Sequence, residues 1–345
     1  MIAAGGGWPW FHSDNVSARH RQQTRQVRFT AVRKGYAVDA RGDGVSPVID
    51  VDEPGPARGP AGLGVRCRGV VHLYRTFEGH DVVALQGVDL DIEPGERIAF
   101  LGPSGSGKST LLTLLGGVQR PSAGKIFLGD DEISRMGEKA LARVRARRVS
   151  TILQGATRNL LPYATVRQNL AFATLAMSSA DRRHAPDDMD LLARMGLADR
   201  ARQVVATMSG GQRQRLALAC AVVSGPQLLL ADEPTSQLSH EDRDEVLRLL
   251  HGLGDDLGTT ILVVTHQPEV ADTFPRTIRM LGGRVGSEGR DGAEYIVVGK
   301  DGVLHLPAEV ARDWPPGTLV RVEPERRDRV LLTRPSGGAA RGDDA

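Results

Sequence analysis

The nine residues GPSGSGKST (102–110) follow the apolar run RIAFL and precede the leucine-rich run LLTLL. A buried strand, a glycine loop and a helix in that order confine the chain to a narrow set of α/β architectures. Gly102, Gly107, Lys108 and Ser109 match the spacing G-x-x-x-x-G-K-S, and Gly105 adds a further glycine inside it. In such a loop the glycines let successive backbone N–H groups curl around a phosphate, and the helix start adds partial positive charge. Lys108 can reach β- and γ-oxygens, and the Ser109 hydroxyl can ligate Mg2+. Pro103, Ser104, Ser106 and Thr110 complete the stretch as candidate nucleotide contacts.

Around this loop the pattern alternates. VRCRGVVHLY and VALQGVDLDI read as early strands, EKALARVRARR as a charged helix and VSTILQ as the strand after it. Residues 165–202 read as mostly helical, with a polar loop SSADRRHAPDD inside. GQRQRLALACAVV and HEDRDEVLRLLHGLG are helical, and QLLLAD and TILVVTH are strands. Strands alternating with helices predict a mostly parallel sheet covered on both faces, with an antiparallel β flap attached to it. LLLADE ends in two carboxylates: Asp232 is placed to hold Mg2+ through water, and Glu233 to polarise an attacking water. His266 closes TILVVTH, where it can contact a γ-phosphate.

MSGGQRQR (208–215) resembles the LSGGQ signature of ABC-transporter ATPases, with Met208 for the usual leucine. Together with GPSGSGKST, ADEP and TH in this order, it identifies residues 65–285 as similar to that superfamily. The likeness runs toward the lipoprotein-release, macrolide-export and cell-division-type ATPases, through VHLYRTFEGHDVVALQGVDLDIEPGERIAFLGPSGSGKSTLL, ARVRARRVSTILQ and NLLPYATVRQNL. The resemblance implies a P-loop core with an antiparallel β flap and a helical subdomain. It implies ATP and Mg2+ as the bound species, with Tyr74 stacking on adenine. Gln154 would sense Mg2+ and the γ-phosphate and couple to a permease. Ser209, Gly210, Gly211 and Gln212 would clamp ATP held by the opposite subunit of a homodimer or heterodimer. The chain would then sit at the cytoplasmic side of the cell membrane, held there by an integral-membrane permease subunit.

Two positions depart from the family pattern. EPTSQLS stands where EPTGNLD is usual, so Ser239 replaces an aspartate that bridges the two sites, and Ala219-Cys220 replaces Ala-Arg. The missing carboxylate leads to the expectation that Ser239→Asp raises turnover, and it leaves room for a heterodimer.

Composition adds exclusions. A net charge of +2 over 345 residues gives no case for nucleic-acid binding. Cys67 and Cys220 form neither a metal spacing nor a disulfide framework, so a reducing compartment is expected. The most apolar stretch, LALACAVVSGPQLLLA (216–231), is too short and too interrupted to span a bilayer. The start of the chain lacks the basic-then-apolar order of a signal peptide.

Residues 1–63 read as a flexible arm and linker, with six Lys or Arg residues and no acid between Arg19 and Lys34. This arm is open to two readings: a contact with anionic lipid or a partner, or a solvated extension. Residues 293–335 read as a small β-rich unit, weakly resembling the swapped-hairpin domain of transition-state regulators and antitoxins. Its seven basic and seven acidic residues argue against DNA binding and for dimerisation. Residues 336–345 read as a disordered tail. Two functions remain: a transport ATPase driving a separate permease, or a regulatory or scaffolding ATPase of the same type whose C-terminal unit makes protein or DNA contacts.

Overall fold

The computed structural model describes residues 62–75, 79–175, 177–183, 185–290, 293–298, 302–303, 306, 312–314, 318–326 and 329–333. Most of the N-terminal arm and all of the 336–345 tail lie outside the described residues.

Two sheets meet over the phosphate loop. A four-stranded antiparallel sheet pairs β1 (Val65–Arg75) with β2 (Asp81–Ile92) and with β4 (Ala123–Leu128), which carries the short β5 (Asp131–Glu132) at the edge. The larger sheet has seven strands. Its parallel part runs, in spatial order, β9 (Arg276–Leu281), β3 (Arg97–Leu101), β8 (Thr260–Thr265), β7 (Leu228–Asp232) and β6 (Val149–Ile152). Strand β10 (Arg284–Arg290) turns back antiparallel on β9, and β11 (Ala293–Ile296) adds to β10. The predicted α/β core with its antiparallel flap is therefore present.

Side-chain alternation explains why the parallel strands are apolar throughout. Ile98 and Phe100 of β3, Leu228 and Leu230 of β7, and Leu262 and Val264 of β8 join one buried cluster. It also holds the flap strands and the leucines of α1 (Lys108–Leu115). Ala99 and Leu101, Leu229 and Ala231, and Ile261 and Val263 point the other way, into a second cluster. That cluster includes residues of α3 (Val166–Ala173), α5 (Asp188–Arg194), α6 (Gly210–Val222) and α7 (His240–Leu257). A sheet buried on both faces has no polar side, which is why these strands read as continuous hydrophobic runs.

The charged helix is α2 (Glu138–Arg148), and the short α8 (Pro268–Ala271) follows β8. The polar stretch read as a loop contains one short helix, α4 (Ser179–Arg183), started by the Ser178 hydroxyl accepting from the Asp181 N–H at 3.1 Å. Strand β11, grouped with the C-terminal unit on sequence grounds, pairs with β10 and so forms an edge of the large sheet. The last two strands, β12 (Arg321–Arg326) and β13 (Arg329–Thr333), form a separate antiparallel hairpin. No helix among the described residues is long and apolar enough to cross a membrane.

Candidate functional site

The spatial order β3, β8, β7, β6 places four chain ends side by side at the C-terminal edge of the parallel strands. The glycine loop leaves β3, His266 follows β8, Asp232 and Glu233 end β7, and Gln154 follows β6. Open α/β sheets bind ligands at this edge, because the loops diverge there and helix starts point inward.

The glycine loop closes onto its own lysine. Lys108 is 6% exposed, and its Nζ donates to the carbonyls of Gly102 at 2.7 Å and Pro103 at 2.9 Å. Desolvation lowers its pKa, with Glu233 and Asp232 opposing the shift. Gly107, the residue before α1, has φ of 94°, and a Cβ there would lie 2.5 Å from the Ala84 carbonyl oxygen of the flap. Gly105 also has positive φ (78°), but no atom lies within 4 Å of where its Cβ would be. The loop is thus packed from behind at Gly107 and open at Gly105, as a phosphate cradle requires. The turn between β9 and β10 braces it, with the Gly283 N–H donating to the Ser106 carbonyl at 3.1 Å.

Opposite the loop, Ser109 Oγ donates to Asp232 Oδ1 at 3.1 Å. Burial raises the Asp232 pKa; the Ser109 hydrogen bond, Lys108 and Arg158 hold it down, and Glu233 adds to the rise. A hydroxyl and a carboxylate at this spacing form a hard-oxygen pair, the donor chemistry suited to Mg2+. Among the described residues no group of three His, Cys, Asp or Glu side chains converges as a metal site. Further ligands would accordingly come from phosphate and water, as is usual for Mg2+. Glu233 adopts φ of 49°, a left-handed conformation uncommon outside glycine. Its N–H donates to the Val264 carbonyl at 2.9 Å, and its Oε1 lies 2.7 Å from His266 Nδ1.

Gln154 is exposed on a loop closed by Asn159. The Asn159 Oδ1 accepts from the Leu153 N–H at 2.8 Å, and its Nδ2 donates to the Leu153 and Gly155 carbonyls. Tyr74, at the end of β1, is 38% exposed and donates from its hydroxyl to Gln119 Oε1 at 3.1 Å. Ser209 caps α6: its Oγ accepts from the Gln212 N–H, and Gln212 Oε1 accepts from the Ser209 N–H. Among the described residues no hydrogen bond joins Ser209–Gln212 to the phosphate loop.

Sequence reasoning missed four contributors. Arg158 acts on Asp232 through its charge, Asn159 shapes the Gln154 loop, and Gly283 braces the phosphate loop. The fourth is Asp242, whose backbone N–H donates to Ser239 Oγ and whose Oδ2 accepts from that hydroxyl, both at 3.2 Å. Its signal was present as a serine ahead of an apolar-periodic helix with an acid three residues on, an N-cap pattern in the sequence.

Residues 85–236 match the family model described as ABC transporter. The chain is 36% identical over 225 residues to the lipoprotein-releasing system ATP-binding protein LolD of Chromohalobacter salexigens, an alignment covering 65% of this chain and 93% of that one. It is 41% identical over 217 residues to the macrolide export ATP-binding/permease protein MacB of Marinobacter nauticus, covering 62% of this chain and 33% of the relative. Among solved structures, the ATP-binding cassette MJ0796, seen as a dimer in a post-hydrolysis state bound to ADP and Pi, superposes with a TM-score of 0.58. It is 30% identical, and the match covers 66% of this chain and 98% of the cassette.

Proposed function

Because the chain belongs to the ABC-transporter family of ATP-binding proteins, we propose that it is the ATPase subunit of an export- or release-type transporter, dimerising around two ATP molecules and driving a separate membrane permease. The observation that carries this reading is the convergence of the Ser109–Asp232 and Glu233–His266 pairs on the glycine loop from neighbouring strands.

The backbone N–H groups of the glycine loop would cradle the phosphates of ATP, the Ser106 N–H leaving the Pro103 carbonyl to which it donates at 3.2 Å. Lys108 exchanges its two carbonyl partners for phosphate oxygens, a change that lowers the cost of its burial. Ser109 and Asp232 would hold Mg2+, which would supply positive charge to offset the negative charge of the transferred phosphoryl group. Glu233 accepts a hydrogen bond from the attacking water and aligns it. His266, with Nδ1 2.7 Å from Glu233 Oε1, holds its ring beside the carboxylate that faces the water and keeps that carboxylate oriented. The Gly210 and Gly211 N–H groups, in the first turn of α6, face a second subunit's ATP.

The permease partnership draws support from the segment around α3. Tyr163 is 78% exposed, Leu175 64% and Phe172 58%, and a concentration of exposed apolar side chains marks an interaction surface.

Glu233→Gln keeps the shape of the site and removes the charge that aligns water. Gel filtration with ATP should show a trapped dimer for this variant, and none when Lys108→Ala is added. A Glu233→Gln protein that stays monomeric while turning over ATP normally overturns the assignment.

A further inference from the structure

Asp242 stands in the first turn of α7, yet its side chain reaches α6. A Cβ built on the buried Gly211 would lie 2.0 Å from Asp242 Oδ1 and 2.1 Å from its Cγ. The carboxylate therefore rests against the Gly211 Cα, and only glycine leaves it room. Ser239 fixes it there by accepting from the Asp242 N–H and donating to Oδ2, both at 3.2 Å. One residue earlier Leu238 packs toward Gly210, with Cδ2 3.7 Å from the Cβ position there. The two helix starts are thus in contact, and a negative charge is held beside the first turn of α6.

We propose that Asp242 is a built-in brake on ATP-driven subunit closure, its clamped carboxylate opposing the arrival of the partner's γ-phosphate at the start of α6. This rests on the composite-site reading given above. In the free subunit the carboxylate offsets the partial positive charge of the α6 N-terminus, and so weakens the pull of that helix start on an incoming phosphate. On closure the same charge faces a phosphate of like sign in a partly desolvated gap, where repulsion is larger than in bulk water. Closure then needs a higher ATP concentration than the bare Ser-Gly-Gly turn would.

The test uses the full chain carrying Glu233→Gln, with and without Asp242→Asn, followed by light scattering as ATP is raised. Asparagine keeps the size of the side chain and an acceptor for the Ser239 hydroxyl. The dimerisation midpoint should fall about threefold to tenfold for Asp242→Asn at low salt, and the gap should narrow as salt screens the charge. Ser239→Ala keeps the charge but frees it from its clamp, and should move the midpoint the same way by a smaller factor. Equal midpoints with and without Asp242→Asn, or a gap that salt does not change, overturn the brake and leave the dimer intact. If no variant dimerises at any ATP concentration, the composite-site reading falls and the brake with it.

Discussion

Burial raises the Asp232 carboxyl pKa even though Ser109 donates to it. A carboxyl whose folded pKa lies above its unfolded value holds its proton more tightly when folded. The protein therefore loses stability as pH rises from the ordinary carboxylate range through the raised value, and stays less stable above it. Asp232→Asn removes the charge and keeps an acceptor for Ser109. Without nucleotide it should melt above the wild type at neutral pH, with the advantage fading as pH falls through the raised value toward about pH 4, and it should not hydrolyse ATP. Thermal melts across pH check this, and an advantage that persists unchanged into acid contradicts it. The structure also changes the expectation for Ser239. Its hydroxyl is not idle: it caps α7 and donates to Asp242. Ser239→Asp keeps a capping oxygen but sets a second carboxylate against the first. Turnover should therefore rise only when Asp242→Asn accompanies it, which steady-state ATPase of the single and double variants resolves.

The loop between β6 and α3 is an element whose shape depends on one side chain. Asn159 makes three hydrogen bonds to the backbone of Leu153 and Gly155, and they fix the turn that carries Gln154. Asn159→Ala should cost roughly 1–3 kcal/mol in stability and speed amide exchange over residues 153–159. It should lower turnover with little change in ATP affinity of the monomer, since no loop contact to the glycine cradle is lost. Exchange rates equal to wild type would remove Asn159 from this role. Elements of this kind also show what the sequence can disclose. The glycine loop, the Asp-Glu strand end and the Ser-Gly-Gly turn were legible because a phosphate cradle needs fixed residue types at fixed spacing. Strands β9 and β10 carried no such signal. Arg276 opens β9 as a charged residue, yet it is buried, held by Glu288 at 2.8 Å and Glu96 at 2.9 Å. A charge paired across distant segments reads as surface until the fold supplies its partners. Asp242 was hidden for the same reason: its spacing announced a cap, while its contact with Gly211 exists only once α6 and α7 pack.

At the scale of the whole molecule, the sequence suggested a break between the ATPase core and a small C-terminal unit. The large sheet runs across that point. Strand β11 pairs with β10 from Ser287 with Ile296 to Arg290 with Ala293. Ser287 donates to Glu294 at 2.7 Å, Arg279 pairs with Glu294 at 3.1 Å, and the Val297 N–H donates to the Gly286 carbonyl. The β12–β13 hairpin belongs to a different sheet, and Val322 and Leu331 are exposed on it. Two strands alone are marginal in water, so the core should not depend on this hairpin for its stability. Two truncations separate these contributions. Ending the chain after Val298 keeps every sheet partner of β10, and its melting temperature and ATPase rate should match the full chain. Ending it after Gly292 removes β11, uncovers the buried Ser287 and leaves the backbone of β10 as an open edge. Open edges recruit strands from other molecules. The shorter form should therefore melt several degrees lower, in line with the loss of about 1–2 kcal/mol from a domain this size, and should aggregate on heating. Scanning fluorimetry with parallel light scattering distinguishes the two. If both truncations behave alike, β11 is an appendage and the sheet ends at β10 for the purposes of stability.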